Sequence, residues 1–185
     1  MSFLLRSCVV LLGVGAAAPV LAAGKTAVTL CKPDERVVFS CGAGLHYASI
    51  CASKDISKDQ GTMQYRFGSK EKLELVYPAT PGKPAEDFKG GWMMFSGGGG
   101  AFLRFSNGPY EYTVFSATGK WGPNGAPLDE EGVAIRKDAK EFSNFVCRDA
   151  GADVGELGPD FLEKMGMSPA DPDADFEIPE AFFKK

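Results

Sequence analysis

Arg36-Val37-Val38-Phe39-Ser40-Cys41-Gly42-Ala43-Gly44-Leu45-His46-Tyr47-Ala48-Ser49-Ile50-Cys51 is the stretch that decides the fold. β-Branched and aromatic residues fill both arms, and the glycines around Ala43 supply a turn between them. The pattern predicts two antiparallel strands, Arg36 to Cys41 and Leu45 to Cys51. Each arm ends in a cysteine. Cys41 then stands at the turn and Cys51 at the open end, too far apart for the Cα separation of about 4.4–6.8 Å that a disulfide requires.

Working outward, the other cysteines complete the frame. Cys8 lies near the N-terminus, leaving Cys31, Cys41, Cys51 and Cys147. Four cysteines allow three connectivities. Cys31 precedes the hairpin and can fold back on its open end, which favours Cys31–Cys51 and leaves Cys41 for Cys147. The second bond would tie the first strand to the last. The even spacing of Cys31, Cys41 and Cys51 fits no C-x2-C zinc pattern, and a single histidine does not complete a usual ligand set. No metal and no cofactor are expected.

The chain after Cys51 reads as strand after strand. Residues 61–68 and 72–78 alternate apolar and polar around a turn at 68–71. Residues 79–89 are Pro-rich and polar, hence a loop. Residues 91–96 and 101–106 flank Gly97-Gly98-Gly99-Gly100, read as a hairpin loop. Asn107-Gly108 marks a turn into residues 110–116, residues 119–127 are a further loop, and 132–137 with 142–148 make a closing pair. About eight antiparallel strands with short turns predict a mainly β protein: one antiparallel barrel or sandwich, stapled by disulfides. Val38, Phe39, Ile50, Tyr65, Phe67, Leu75, Trp92, Phe95, Phe102, Leu103, Phe105, Val114, Ile135 and Phe145 are the expected core.

The two ends read differently. Arg6 is the one charge before an apolar run from Cys8 to Ala18, and Pro19 then leads to Val20-Leu21-Ala22, with permitted residues at the −3 and −1 positions. This is the pattern of a secretory signal peptide over residues 1–22, too short to cross a membrane and followed by no second apolar stretch. A periplasmic or secreted protein without a membrane anchor after cleavage is expected, its β domain covering residues 23–148. That domain carries 16 Lys and Arg against 14 acids, a net of +2, whereas residues 149–185 carry 3 against 10, a net of −7. The acidic tail holds Pro159, Pro169, Pro172 and Pro179 and one short helical pattern from Pro159 to Gly166. It is expected to be partly disordered and loosely packed, so that trimming it leaves the β domain folded. Its charge reads either as a solubilising extension or as an arm for a cationic partner.

Few residues offer chemistry. Ser96 before the glycine run lacks the Lys-Ser/Thr ending of a phosphate loop and the spacing of a nucleophile elbow. His46 would need a serine and an acid beside it, and Ser40, Ser49, Ser96 and Ser106 carry no supporting motif. Glu74, Glu111 and Glu141 alternate with apolar neighbours, as solvent-side charges do. No catalytic residue is assigned. The acidic pI of about 5.1 and the lack of a basic stripe argue against nucleic acid.

Val37-Val38-Phe39-Ser40-Cys41-Gly42, Leu103-Arg104-Phe105-Ser106-Asn107-Gly108-Pro109-Tyr110, and the stretch from Ile135-Arg136-Lys137 to Cys147 together resemble the small exported lysozyme inhibitors of Gram-negative bacteria. The resemblance implies a one-domain antiparallel barrel with a disulfide from an early strand to the last. Ser106 and Tyr110 would hold the positions of that family's inhibitory loop, although no basic residue stands between them here. Together these readings give an exported binding or inhibitory protein engaging a protein partner, in the sharper form a basic lysozyme-like or toxin-like one. Gly98, Gly99, Ser106, Asn107, Tyr110 and Trp121 are the candidate contacts. The alternative is a small cell-envelope hydrolase.

Overall fold

The computed structural model describes residues 28–95, 97–120, 122–138, 140–148 and 155–170, with backbone alone at 95, 141 and 142. The signal-peptide reading, Ser96 and Trp121 therefore lie outside the described residues. Among the described residues, nine strands form two antiparallel sheets. The first sheet runs β1 (Arg36–Ala43), β2 (His46–Ala52), β3 (Met63–Gly68) and β4 (Leu73–Tyr77). The second runs β5 (Lys89–Phe95), β6 (Gly98–Asn107), β7 (Tyr110–Gly119), β8 (Leu128–Lys137) and β9 (Lys140–Val146). A short helix, α1 (Pro84–Asp87), precedes β5, and α2 (Pro159–Lys164) follows the sheets. Of the two architectures expected, the sandwich forms, not a closed barrel.

Strand alternation builds the core. In the first sheet Phe39, Ile50, Tyr65 and Tyr77 fall in one cross-strand row, and Ala48, Phe67 and Leu75 in the next. Leu103, Phe105, Val114 and Val133 face them from the second sheet. Aromatic rings close the gap: Tyr77 stacks on Phe105 at 4.4 Å, Phe105 on Tyr112 at 4.8 Å, and Phe67 meets Phe145 edge-on at 5.5 Å. Such pairs add about 0.5–1.5 kcal/mol each beyond burial.

Both disulfides follow the hairpin geometry. Cys31–Cys51 holds residues 28–35 over the outer face of the first sheet, and Cys41–Cys147 joins β1 to the end of β9. There the Arg148 N–H also donates to the Gly42 carbonyl at 3.0 Å. Two disulfides are the mark of a non-reducing compartment. Among the described residues no helix is long and apolar enough to cross a membrane.

Two expectations are corrected. The glycine run is strand, not loop: Gly98, Gly99 and Gly100 pair with Phe95, Met94 and Met93. Close packing explains the composition, because a Cβ at Gly98 would overlap the Thr118 carbonyl oxygen. The loosely packed tail is corrected over residues 155–170. Leu157, Phe161, Leu162 and Met165 lie on one side of the α2 segment and are buried in the main core. The Glu156 and Leu157 N–H groups both donate to the Val38 carbonyl, and Glu156 pairs with Arg36. Counting charge hid this, because the acids of this segment sit between its apolar residues and point away. Residues 149–154 and 171–185 lie outside the described residues.

Candidate functional site

β6 is ten residues long, so its ends stand roughly 30 Å apart at about 3.4 Å per residue. That length separates the candidate contact residues. Gly98 and Gly99 lie at one end. Ser106, Asn107 and Tyr110 lie at the other, where Gly108 and Pro109 turn the chain into β7. The structure does not bring the two groups together. Trp121 is outside the described residues, although its neighbours follow β7 on the Gly98 side.

The two ends also differ in charge. β8 carries Asp129, Glu130 and Glu131 at its start and Arg136 and Lys137 at its finish. The Tyr110 end is therefore basic: Lys137 Nζ sits 5.6 Å over the Tyr110 ring, and Arg104 bonds Thr113 at 3.0 Å with Glu111 at 3.7 Å. At the Gly98 end, Met94, Gly99, Thr118 and Asp129 are successive partners across β5, β6, β7 and β8. These four residues share a face of the sheet. Met94 is 77% exposed, beside a glycine that gives it no side chain to pack on. A hollow of about 190 Å³ opens next to it, lined by Met94, Gly99, Ser116, Thr118, Leu157 and Pro159.

One acid of the β8 edge, Glu131, is perturbed. Burial pushes the Glu131 carboxyl above its ordinary range, and the charges of Asp129 and Glu130 push it further. Thr118 Oγ1 donates to Asp129 at 2.6 Å. An exposed thioether, a flat glycine surface and a carboxylate edge together suit a partner with an apolar group ringed by positive charge.

Other polar groups are engaged in holding the fold. His46 Nε2 lies 3.1 Å from Glu74 Oε1 and its ring stacks on Phe67, both polar side chains remaining nearly half exposed. Ser40 and Ser49 bond each other at 2.9 Å and meet Val28 and Leu30 under the N-terminal segment. Among the described residues, Cys31, Glu35 and Cys51 bring three ligand-type atoms together. Their sulfurs are joined as a disulfide and Glu35 is held by Arg66, so the group is spoken for. A larger hollow, about 620 Å³, lies on the outer face of the first sheet between Lys32, Arg66, Lys70, Leu73 and Val76.

Sequence reasoning missed Met94 and the Asp129–Glu131 edge. Met94 read as one more residue of a strand, and only the register shows that its partner is a glycine. The signal that could have found the β8 acids is a run of three acids followed five residues later by two bases. No protein-family model, curated protein or solved structure matches this chain, and its class is set by its own geometry: a β-sandwich stapled by two disulfides.

Proposed function

We propose that this is an exported binding protein, periplasmic or secreted, that engages a basic protein partner through the Gly98 end of the second sheet, with inhibition of a lysozyme-like or toxin-like enzyme as its role. One observation carries the reading: Met94 stands exposed on a rigid strand beside Gly99 and in register with Asp129. Interfaces concentrate binding energy in a few apolar anchors with a polar rim, and methionine is enriched there. Two disulfides and a dense aromatic core keep the anchor in place before binding, which lowers the entropic cost of association. The acidic edge would speed encounter with a cationic target. The lysozyme-inhibitor resemblance supports the same class of partner, but its Ser106–Tyr110 positions lie on the opposite, basic end.

The test is binding and activity of a panel of basic muralytic enzymes with purified protein at rising salt. Binding is expected to weaken with ionic strength as exposed charges are screened. Met94→Asp is expected to weaken it at least tenfold, whereas Leu45→Asp at the β1–β2 turn leaves it unchanged. Binding indifferent to Met94→Asp would move the site elsewhere, and a panel with no binder would remove the inhibitory role. The hydrolase alternative has one observation in its favour: Glu131 is raised and stands two residues from Asp129 on one strand face. Turnover of peptidoglycan fragments abolished by Glu131→Gln would favour it.

A further inference from the structure

The segment before β1 covers half of the outer face of the first sheet. One cross-strand row on that face runs Ser40, Ser49, Arg66, Val76. Ser40 Oγ donates to the Val28 carbonyl, Ser49 Oγ accepts from the Leu30 N–H, and Arg66 donates to the Leu30 carbonyl. Cys31–Cys51 pins the same segment to β2. Residues 28–32 therefore lie over β1 and β2 and stop at Arg66. The hollow of about 620 Å³ opens where they stop, against β3 and β4. A bulge gives it an apolar wall. Strict alternation would put Leu73 on the face of Leu75, which packs against the core. The β3–β4 register shifts between Phe67 and Gly68, so Leu73 pairs with Gly68 and turns outward beside Val76. Leu73 is left 45% exposed.

Apart from two lysines, the polar side chains that line this hollow are spent on the protein itself. Arg66 commits every N–H of its guanidinium: two to Glu35, two to Gln64 Oε1 and one to the Leu30 carbonyl. Gln64 donates in turn to the Pro78 carbonyl. Thr29 Oγ1 donates to Ser49 and accepts from the Cys31 N–H. Lys32 and Lys70 are exposed, and among the described residues no ion pair engages either ammonium. Lys32 lends its charge to Glu35 without a direct pair. Three bases against the one acid, Glu35, leave a surplus of two positive charges here, in a chain whose net charge is −4.

We infer that this hollow is a binding site for a small carboxylate with an aliphatic body, its chain laid on Leu30, Leu73 and Val76 and its carboxylate met by Lys32 and Lys70. The volume falls within the range of about 300–1,000 Å³ typical of small-molecule sites. The aliphatic body follows from the spent polar side chains. Hydroxyls or amides of a ligand would give up water there and find no side chain in exchange. The same count disfavours a sugar or a peptide. The anionic head follows from the two lysines, the lining side chains with donors left to give, and a hydrogen bond between ions is among the stronger ones. The site lies on the other sheet from Met94 and does not depend on it.

The test is titration of the purified protein with octanoate, read by backbone amide NMR shifts. Saturable shifts are expected in residues 29–32, 64–66 and 70–76, with an affinity that falls as salt rises. Octyltrimethylammonium, with the same chain and the opposite charge, is expected to bind at least about tenfold more weakly. The double variant Lys32→Glu, Lys70→Glu is expected to weaken octanoate by a similar factor with circular dichroism unchanged, whereas Lys70→Arg keeps the affinity and Met94→Asp does not alter it. Absence of saturable octanoate binding, equal binding of the two amphiphiles, indifference to the double charge reversal, or shifts confined to the second sheet would each overturn the site. Tighter binding of a chitin oligosaccharide or a short neutral peptide than of octanoate would overturn the assigned ligand class.

Discussion

Arg66 stands on the outer face of β3 almost out of water, and it is tolerated because its donors are met. Glu35 takes two of its hydrogen bonds at 2.6 and 2.7 Å, Gln64 Oε1 lies at 3.0 Å and the Leu30 carbonyl at 3.1 Å. Burial pushes the Glu35 carboxyl up, but the bonds and charges of Arg66 and Lys32 outweigh it and leave it below its ordinary value. Removing the acid strands a buried cation, so Glu35→Ala is expected to cost about 1.5–3 kcal/mol in urea unfolding. Arg36→Ala breaks a pair with Glu156 that is open to solvent, and about 1 kcal/mol or less is expected. Equal losses in the two variants would show that the Arg66 site is not the tighter one. Gly98→Ala sets a side chain against the Thr118 backbone, which has no rotamer to yield, and a loss of about 1–3 kcal/mol is expected in the same assay.

At the scale of elements, the two disulfides act on different lengths of chain. Cys31–Cys51 spans 20 residues and Cys41–Cys147 spans 106. On the chain-entropy account these are worth about 3 and about 4.7 kcal/mol. Thermal unfolding of the Cys41→Ser, Cys147→Ser pair is therefore expected at a lower temperature than that of the Cys31→Ser, Cys51→Ser pair; the reverse order would show that tethering the N-terminal segment matters more than joining the sheets. Both bonds were legible in the sequence because a hairpin fixes where its ends lie. Most strands were legible for the same reason: alternation survives in a sheet with one core face. The glycine run was not, since glycine marks a turn and a close backbone approach alike, and only the register with Thr118 tells them apart. Nor was the α2 segment, whose burial depends on Leu157, Phe161, Leu162 and Met165 meeting a face of the core that the sequence does not show. The candidate site was half legible: Gly98 and Gly99 were named, while Met94 and the β8 acids needed the cross-strand row.

For the molecule as a whole, two of the perturbed acids, Glu35 and Glu131, pull stability in opposite directions with pH. Glu35 is depressed, so its contribution is present above the unfolded value of about 4.3 and is lost as pH falls through its folded value. Glu131 is raised, so the folded state is free of its penalty below about 4.3 and loses stability as pH rises through the folded value. Glu131→Gln is thus expected to stabilise the protein at pH 7 and to make no difference at pH 4, as measured by urea midpoints; a gain that persists at pH 4 would point to packing instead of charge. Where the folding unit ends is the larger question. Four core side chains come from residues 157–165, and burying each is worth about 1.5–3 kcal/mol, about 6–12 together. A typical domain has only about 5–15 kcal/mol in all. A chain ended at Arg148 is therefore expected to lose its cooperative thermal transition, whereas one ended at Ala170 keeps it. A sharp transition in the shorter chain would show that the two sheets and their disulfides form a complete core without the helix.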